Sequence, residues 1–337
     1  MVAQESGGPS AGSGSPHEKG EPARAELRGG LAFVFPGQAS QRAGMAAALL
    51  VEESEARSLF DGASEILGLN LAEICTGGDQ ALLTRTDVAQ PALLTTCLAW
   101  EAALRRRGVR ARTTAGHSLG EFSAWVAAGA LGFEEAVRLV RRRGELMEEA
   151  ATRRPGGMVA VIGLPNEQVE GICRQAQAAG VVVPANYNSP GQVVVSGDER
   201  GLRRVGQLVK AAGAKSIPLR VSGAFHSSLM EDAARAFSGL VAKLQIRDPR
   251  VPVVVNATAA VVTEAEQVRR AMTVQMTSPV RWTECVRVMR AKGVSAFLEV
   301  GPGQVLTKLI QRTLAEVRCF PVGTPEELRA VVKEIGE

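Results

Sequence analysis

Arg112-Thr113-Thr114-Ala115-Gly116-His117-Ser118-Leu119-Gly120-Glu121-Phe122-Ser123-Ala124-Trp125-Val126-Ala127-Ala128 is the stretch that decides the fold. Arg112 to Ala115 suits a short strand, and Glu121 to Ala128 suits a helix. Between them, Gly116-His117-Ser118-Leu119-Gly120 fits G-x-S-x-G, a serine held on a tight strand-to-helix turn. Such a turn pushes the hydroxyl out of the backbone, and glycines on both sides remove side chains that would clash. The start of the following helix offers free N–H groups to a developing oxyanion. Ser118 is therefore the candidate nucleophile.

Outward from this turn, Leu31-Ala32-Phe33-Val34-Phe35 is an apolar run ended by Pro36-Gly37, as in a buried strand meeting a loop. Helical patterns follow to about residue 107. Further apolar strands are expected at Val251 to Val255 and at Ala296 to Val300, which runs into Gly301-Pro302-Gly303. Strands separated by helices predict an α/β fold, with a hydrolase-like, mostly parallel sheet flanked by helices.

The stretch 157–222 reads differently. Met158 to Ile162, Val181 to Ala185, Gln192 to Ser196 and Lys215 to Leu219 suit strands, with a turn signal at Asn188-Ser189-Pro190-Gly191. Asn166 to Ala179 and Gly201 to Ala212 suit helices. That order is βαββαβ, a ferredoxin-like arrangement. The expected organisation is a large α/β subdomain over 30–156 and 223–325, an inserted subdomain over 157–222 and a C-terminal helix over 326–337. Residues 1–29, rich in Gly, Ser, Pro and Glu, lack the apolar surface to offset ordering entropy and read as a disordered tail.

Composition narrows the function. Hydrophobic residues make up 45% of the 337, enough for a sizeable core. The net charge of +4 is mild, and the single Tyr offers no base-stacking surface, so nucleic acid is not an expected partner. Five cysteines stand singly with no C-x-x-C pair, which argues against disulfides and against zinc or another metal. No apolar run reaches the length of a membrane span, and no secretory signal is visible. The expectation is a cytoplasmic monomer that does not engage a membrane.

An activated serine needs a base that titrates near neutrality. The chain has three histidines: His17 in the tail, His117 beside the nucleophile, and His226 in Ser222-Gly223-Ala224-Phe225-His226-Ser227. His117 leaves the turn in another direction, so His226 is the candidate base. What orients it stays open at this level. Glu231 and Asp232 are the carboxylates nearest in sequence, but a backbone carbonyl serves equally.

Together these segments resemble the malonyl-CoA:acyl-carrier-protein transacylases of type II fatty-acid synthesis and the acyltransferase domains of polyketide synthases. The resemblance runs from Leu31 to about Phe320. It rests on Phe35-Pro36-Gly37-Gln38, Gln90-Pro91-Ala92, Gly116 to Glu121, Arg141-Arg142-Arg143-Gly144, Asn186 to Gln192, Phe225-His226-Ser227 and Glu299-Val300-Gly301-Pro302-Gly303. It implies a ping-pong reaction without a bound cofactor. Coenzyme A enters as the thioester malonyl-CoA, Ser118 takes the malonyl group, and the phosphopantetheine thiol of an acidic acyl carrier protein collects it. It further implies an oxyanion hole from the backbone N–H groups of Gln38 and Leu119. His226 would be steadied by the main-chain carbonyl of Gln275, and Arg143 would hold the malonyl carboxylate. Phe225 ahead of the histidine, with Leu119, implies malonyl rather than methylmalonyl.

Helical spacing places Arg142 opposite the apolar face formed by Phe133, Val137, Val140, Gly144 and Met147, with Arg141 and Arg143 flanking it. Periodicity does not choose between the flanking two; the resemblance chooses Arg143. The family usually has Gly after the loop glutamine, where this chain has Ala39. The runs Arg105-Arg106-Arg107 and Arg141-Arg142-Arg143 are expected to steer an acidic partner. Three other readings remain: a free-standing acyltransferase serving a polyketide synthase, a serine hydrolase or thioesterase, and a non-catalytic carrier-protein-binding module.

Overall fold

The computed structural model describes residues 30–335, so the expectation for 1–29 and the last two residues of the C-terminal segment lie outside the described part. A six-stranded sheet is built from β1 (Leu31–Phe35), β2 (Thr113–Gly116), β7 (Val253–Val254), β8 (Val261–Val262), β9 (Ala296–Val300) and β10 (Arg318–Val322), in the order β10-β9-β1-β2-β7-β8. All neighbours are parallel except β7 and β8. A separate sheet of β3 (Gly157–Ile162), β4 (Val182–Ser189), β5 (Gln192–Gly197) and β6 (Lys215–Pro218) is antiparallel, in the order β4-β5-β3-β6. The molecule is thus α/β, with a mostly parallel mixed sheet flanked by helices.

Strand periodicity explains the layers. Leu31, Phe33 and Phe35 enter one core while Ala32 and Val34 enter another on the opposite face. On β9, Ala296, Leu298 and Val300 join the first and Phe297 the second. A strand covered on both faces reads as a continuous apolar run, as β1 does. In the smaller sheet, Val161, Val182, Val193 and Val195 pack with Val169, Ile172, Val205 and Val209 from helices Asn166–Ala176 and Glu199–Ala211. Its other face, through Met158, Ala160 and Val194, joins the main core.

Helices Thr86–Arg106 and Phe133–Arg153 pack against each other. Gly144 lets them close: a Cβ there would lie 2.6 Å from the Cα of Asp87. Pro91 removes one donor inside the first helix, and the carbonyl it strands, that of Asp87, accepts from Arg141 Nη1 at 3.4 Å.

Several expectations shift. Only Val253–Val254 of the run Val251 to Val255 is strand, because the chain turns back into β8. Asn186 to Ser189 belongs to β4, paired through two register shifts, so the turn is confined to Pro190-Gly191. Asn186 bridges to Val280, and Tyr187 N donates to Val280 O at 2.9 Å, which ties this strand to the larger unit. Strands β8 and β10 had no counterpart in the sequence reading. β8 is too short to show alternation, and β10 is an edge strand whose residues are mostly only part-buried. The last described helix is Pro325–Ile335.

Candidate active site

Strand β2 ends in the turn that carries Ser118, and helix Gly120–Ala127 begins two residues later. The turn has no room for side chains beside the serine. A Cβ on Gly116 would lie 1.9 Å from the carbonyl carbon of Gly120, and one on Gly120 would lie 2.0 Å from Phe35 O. Ser118 itself has φ 52°, in the left-handed region, which costs about 1–2 kcal/mol for a residue with a Cβ. Asn256, just past β7, holds the turn. Its Oδ1 accepts from Ser118 N and its Nδ2 donates to Gly116 O, both at 2.7 Å.

His226 comes from the loop after β6, also with positive φ, 60°. Its Nε2 lies 2.8 Å from Ser118 Oγ. Its Nδ1 faces two main-chain carbonyls, Gln275 O at 3.1 Å and Ser278 O at 3.0 Å. Neither Glu231 nor Asp232 approaches the ring; Asp232 pairs with Arg235. Burial, with the Arg143 charge alongside, pushes the imidazole down to about 3, so it stands neutral at neutral pH. His117 points elsewhere, its Nε2 lying 2.8 Å from Asn188 Oδ1, and burial lowers its pKa too.

Arg143 resolves the ambiguity in the triple arginine. It is 1% exposed. Arg141 pairs with Asp87 and Glu145, and Arg142 with Glu145 and Glu149. The guanidinium of Arg143 donates to Gln90 Oε1 at 3.0 Å and Gln275 Oε1 at 2.9 Å, and more distantly to Ser118 Oγ at 3.4 Å. Its Nε has no partner, its plane lies near the Phe122 ring, 5.4 Å to the centroid, and it forms no ion pair among the described residues. Burial lowers its pKa to about 10, opposed by Glu121, so it remains a cation at neutral pH. A buried cation with spare donors and no directly bonded carboxylate can receive an anion.

Ser118, His226, Arg143, Phe225, Gln38 and Leu119 all line one cavity of about 290 Å³. The N–H groups of Gln38 and Leu119 find no backbone acceptor among the described residues. The cavity lies between the larger unit and the face of the smaller sheet bearing Met158, Ala160 and Val194. Gln275 stands behind the cavity wall rather than in it. Ala39, in the loop after β1, has φ 77°, a conformation suited to the glycine usual there.

The chain is similar to known proteins over most of its length. The family model "Acyl transferase domain" matches residues 32–330. A malonyl CoA-acyl carrier protein transacylase of Bacillus subtilis is 41% identical over 309 residues, covering 91% of this chain and 98% of that one. The solved structure of an acyl carrier protein S-malonyltransferase from Vibrio cholerae superposes with a TM-score of 0.87 at 40% identity, covering 89% and 99% of the two chains. That of a malonyl-transacylase in complex with its type II polyketide synthase acyl-carrier protein gives a TM-score of 0.88 at 38% identity, covering 90% and 99%. The chain belongs to the malonyl CoA-acyl carrier protein transacylase family. It is an acyltransferase.

Within this transacylase fold, some site residues carried no sequence signal of their own. Ser278 contributes only a carbonyl, which leaves no trace in side-chain chemistry. Asn256 did leave one, since a polar residue at the carboxyl end of a parallel strand sits where α/β folds build their sites. Of the run Arg141-Arg142-Arg143, two side chains pair with carboxylates and the third is buried. Arg106 and Arg107 likewise pair with Glu53. No described helix is long and apolar enough to cross a membrane.

Proposed function

We propose that this acyltransferase moves malonyl from malonyl-CoA to the phosphopantetheine thiol of an acyl carrier protein through an ester on Ser118. His226 Nε2 takes the hydroxyl proton as Ser118 Oγ attacks the thioester carbonyl. The oxyanion sits against the N–H groups of Gln38 and Leu119. As the C–S bond breaks, the imidazolium returns its proton to the departing coenzyme A sulfur. In the second half, His226 takes the proton of the incoming thiol, and the new thioester forms as Ser118 recovers its hydrogen. The carbonyls of Gln275 and Ser278 accept from Nδ1–H and hold the ring in the tautomer that leaves Nε2 free.

Arg143 is the observation that carries this reading over a plain serine hydrolase. A water-accepting enzyme has no use for a buried, unpaired guanidinium beside the nucleophile, whereas the free carboxylate of malonyl matches it bidentately. Arg143→Ala tests it. The ratio of the kcat/KM values for malonyl-CoA and acetyl-CoA falls by about 100-fold if a charge-assisted clamp is lost. An unchanged ratio contradicts the clamp. Phe225, 5% exposed against the same cavity, is the residue that would crowd a methyl branch on the acyl group.

The pathway served is proposed to be fatty-acid synthesis. The likeness to a transacylase complexed with a type II polyketide carrier protein supports polyketide supply as the second reading. The region 157–222 is read as a ferredoxin-like subdomain inserted into a hydrolase-like unit over 30–156 and 223–325. Its element order and antiparallel sheet support that division.

A further inference from the structure

Glu121 is a carboxylate the reaction above does not use, yet it is 1% exposed and lies one helical turn from Ser118. Its Oε1 accepts from Asn256 N at 2.8 Å, and its Oε2 accepts from Gln275 Nε2 at 2.6 Å. Each partner reaches into the site by a different route. Asn256 grips Ser118 N and Gly116 O. Gln275 spends its second amide hydrogen on Ser118 O at 2.8 Å and presents its Oε1 to Arg143 Nη2.

From this geometry we propose that Glu121 is a positioning residue for acyl selectivity: it fixes the Gln275 amide so that its oxygen faces Arg143 and holds the guanidinium where a substrate carboxylate meets it. Arginine only donates, and an ionised carboxylate only accepts. Between them, the Gln275 amide has a single satisfying orientation, oxygen to Arg143 and nitrogen to Glu121. An uncharged amide in place of Glu121 breaks this logic. The Asn256 N–H claims its oxygen, so its NH2 meets the NH2 of Gln275. Either that clash persists or Gln275 turns over and sets its own NH2 against Arg143. Both outcomes displace the guanidinium or add a competing donor beside it. Glu121 also supplies the negative charge that favours a charged Arg143 against the cost of its burial.

The inference rests on the reading of Arg143 as the malonyl clamp, so the experiment runs both. Specificity constants for malonyl-CoA and acetyl-CoA are measured on one preparation each of wild type, E121Q, E121D and R143A. Their ratio does not depend on the folded fraction, so a partly misfolded variant still gives an answer. E121Q is expected to lower the malonyl-to-acetyl ratio by about tenfold or more, mainly through the KM for malonyl-CoA, the scale of one hydrogen bond to a charged group. E121D keeps the charge and is expected to retain more of the ratio than E121Q; if E121Q yields no folded protein, E121D is expected to lower the ratio at least threefold. A purely structural role lowers both constants in proportion and leaves the ratio alone, which overturns the proposal. If R143A shifts the ratio and the Glu121 variants do not, Glu121 alone is wrong. If R143A also leaves it unchanged, the clamp itself fails.

Discussion

His226 Nε2 stands 2.8 Å from Ser118 Oγ while its Nδ1 faces the carbonyls of Gln275 and Ser278 and no carboxylate. A carboxylate there would hold the imidazolium and raise its pKa strongly; the two neutral carbonyls orient the ring and raise it by less than burial lowers it. Burial and the nearby Arg143 instead lower it to about 3.

The pH dependence follows with a definite sign. A base whose folded pKa lies far below the usual value of about 6.5 stays unprotonated as pH falls through the neutral range. Acylation by acetyl-CoA is expected to stay level from roughly pH 8 to pH 5, and an inflection near 6.5 would contradict the lowered pKa. Malonyl-CoA adds a second group. Glu121, pushed up to about 7 by burial, faces the Gln275 amide, Asn256 N–H, the Arg143 charge and the buried Cys285 thiol. Below that pH it gains a proton, loses its charge and turns one acceptor into a donor. The malonyl-to-acetyl ratio is therefore expected to fall as pH drops through 7 in wild type and to lose that step in E121Q.

Asn256→Ala removes the clasp on the nucleophile turn. It leaves the Ser118 N–H and the Gly116 carbonyl without their side-chain partner, at about 1–3 kcal/mol for each buried group left unsatisfied. Denaturant unfolding is expected to show a loss of roughly 2–4 kcal/mol. A loss under 0.5 kcal/mol would mean that the turn holds itself.

Much of this was legible in the chain. The elbow at Gly116 to Gly120, strand β1 and strand β9 announce themselves because each is a local pattern: glycines around a strained serine, and apolar runs covered on both faces. Histidine scarcity exposed His226. Periodicity left Arg141 and Arg143 beside the apolar face, the resemblance chose Arg143, and packing shows why the two differ, since Gly144 brings its helix onto Asp87 and carries Arg143 inward. What stayed hidden is what depends on long-range closure. Ser278 faces His226 through a carbonyl, as does Gln275, which the resemblance alone named, and Glu121 works through two amides that lie 135 and 154 residues away in sequence.

Ala39 sits at φ 77°, where a methyl group is a burden. Ala39→Gly is expected to raise stability by up to about 1 kcal/mol at retained turnover. Thermal unfolding checks this, and a loss of stability would show that the loop gains more from the methyl contact than it spends in strain.

Phe225 bounds the cavity beside His226. Phe225→Ser opens space for a branch, and the methylmalonyl-to-malonyl ratio of kcat/KM is expected to rise by about tenfold, the scale of one methyl group. A ratio that does not move assigns selectivity to another wall.

The most direct measurement is the fate of the acyl group. Enzyme treated with radiolabelled malonyl-CoA, freed of excess substrate and digested, should carry the label on the Ser118 peptide, and the Ser118→Ala protein should carry none. Added holo acyl carrier protein should then collect most of that label as a thioester, faster than water releases it. Label on another residue, or release to water at the same rate with the carrier protein present, would contradict transfer through Ser118.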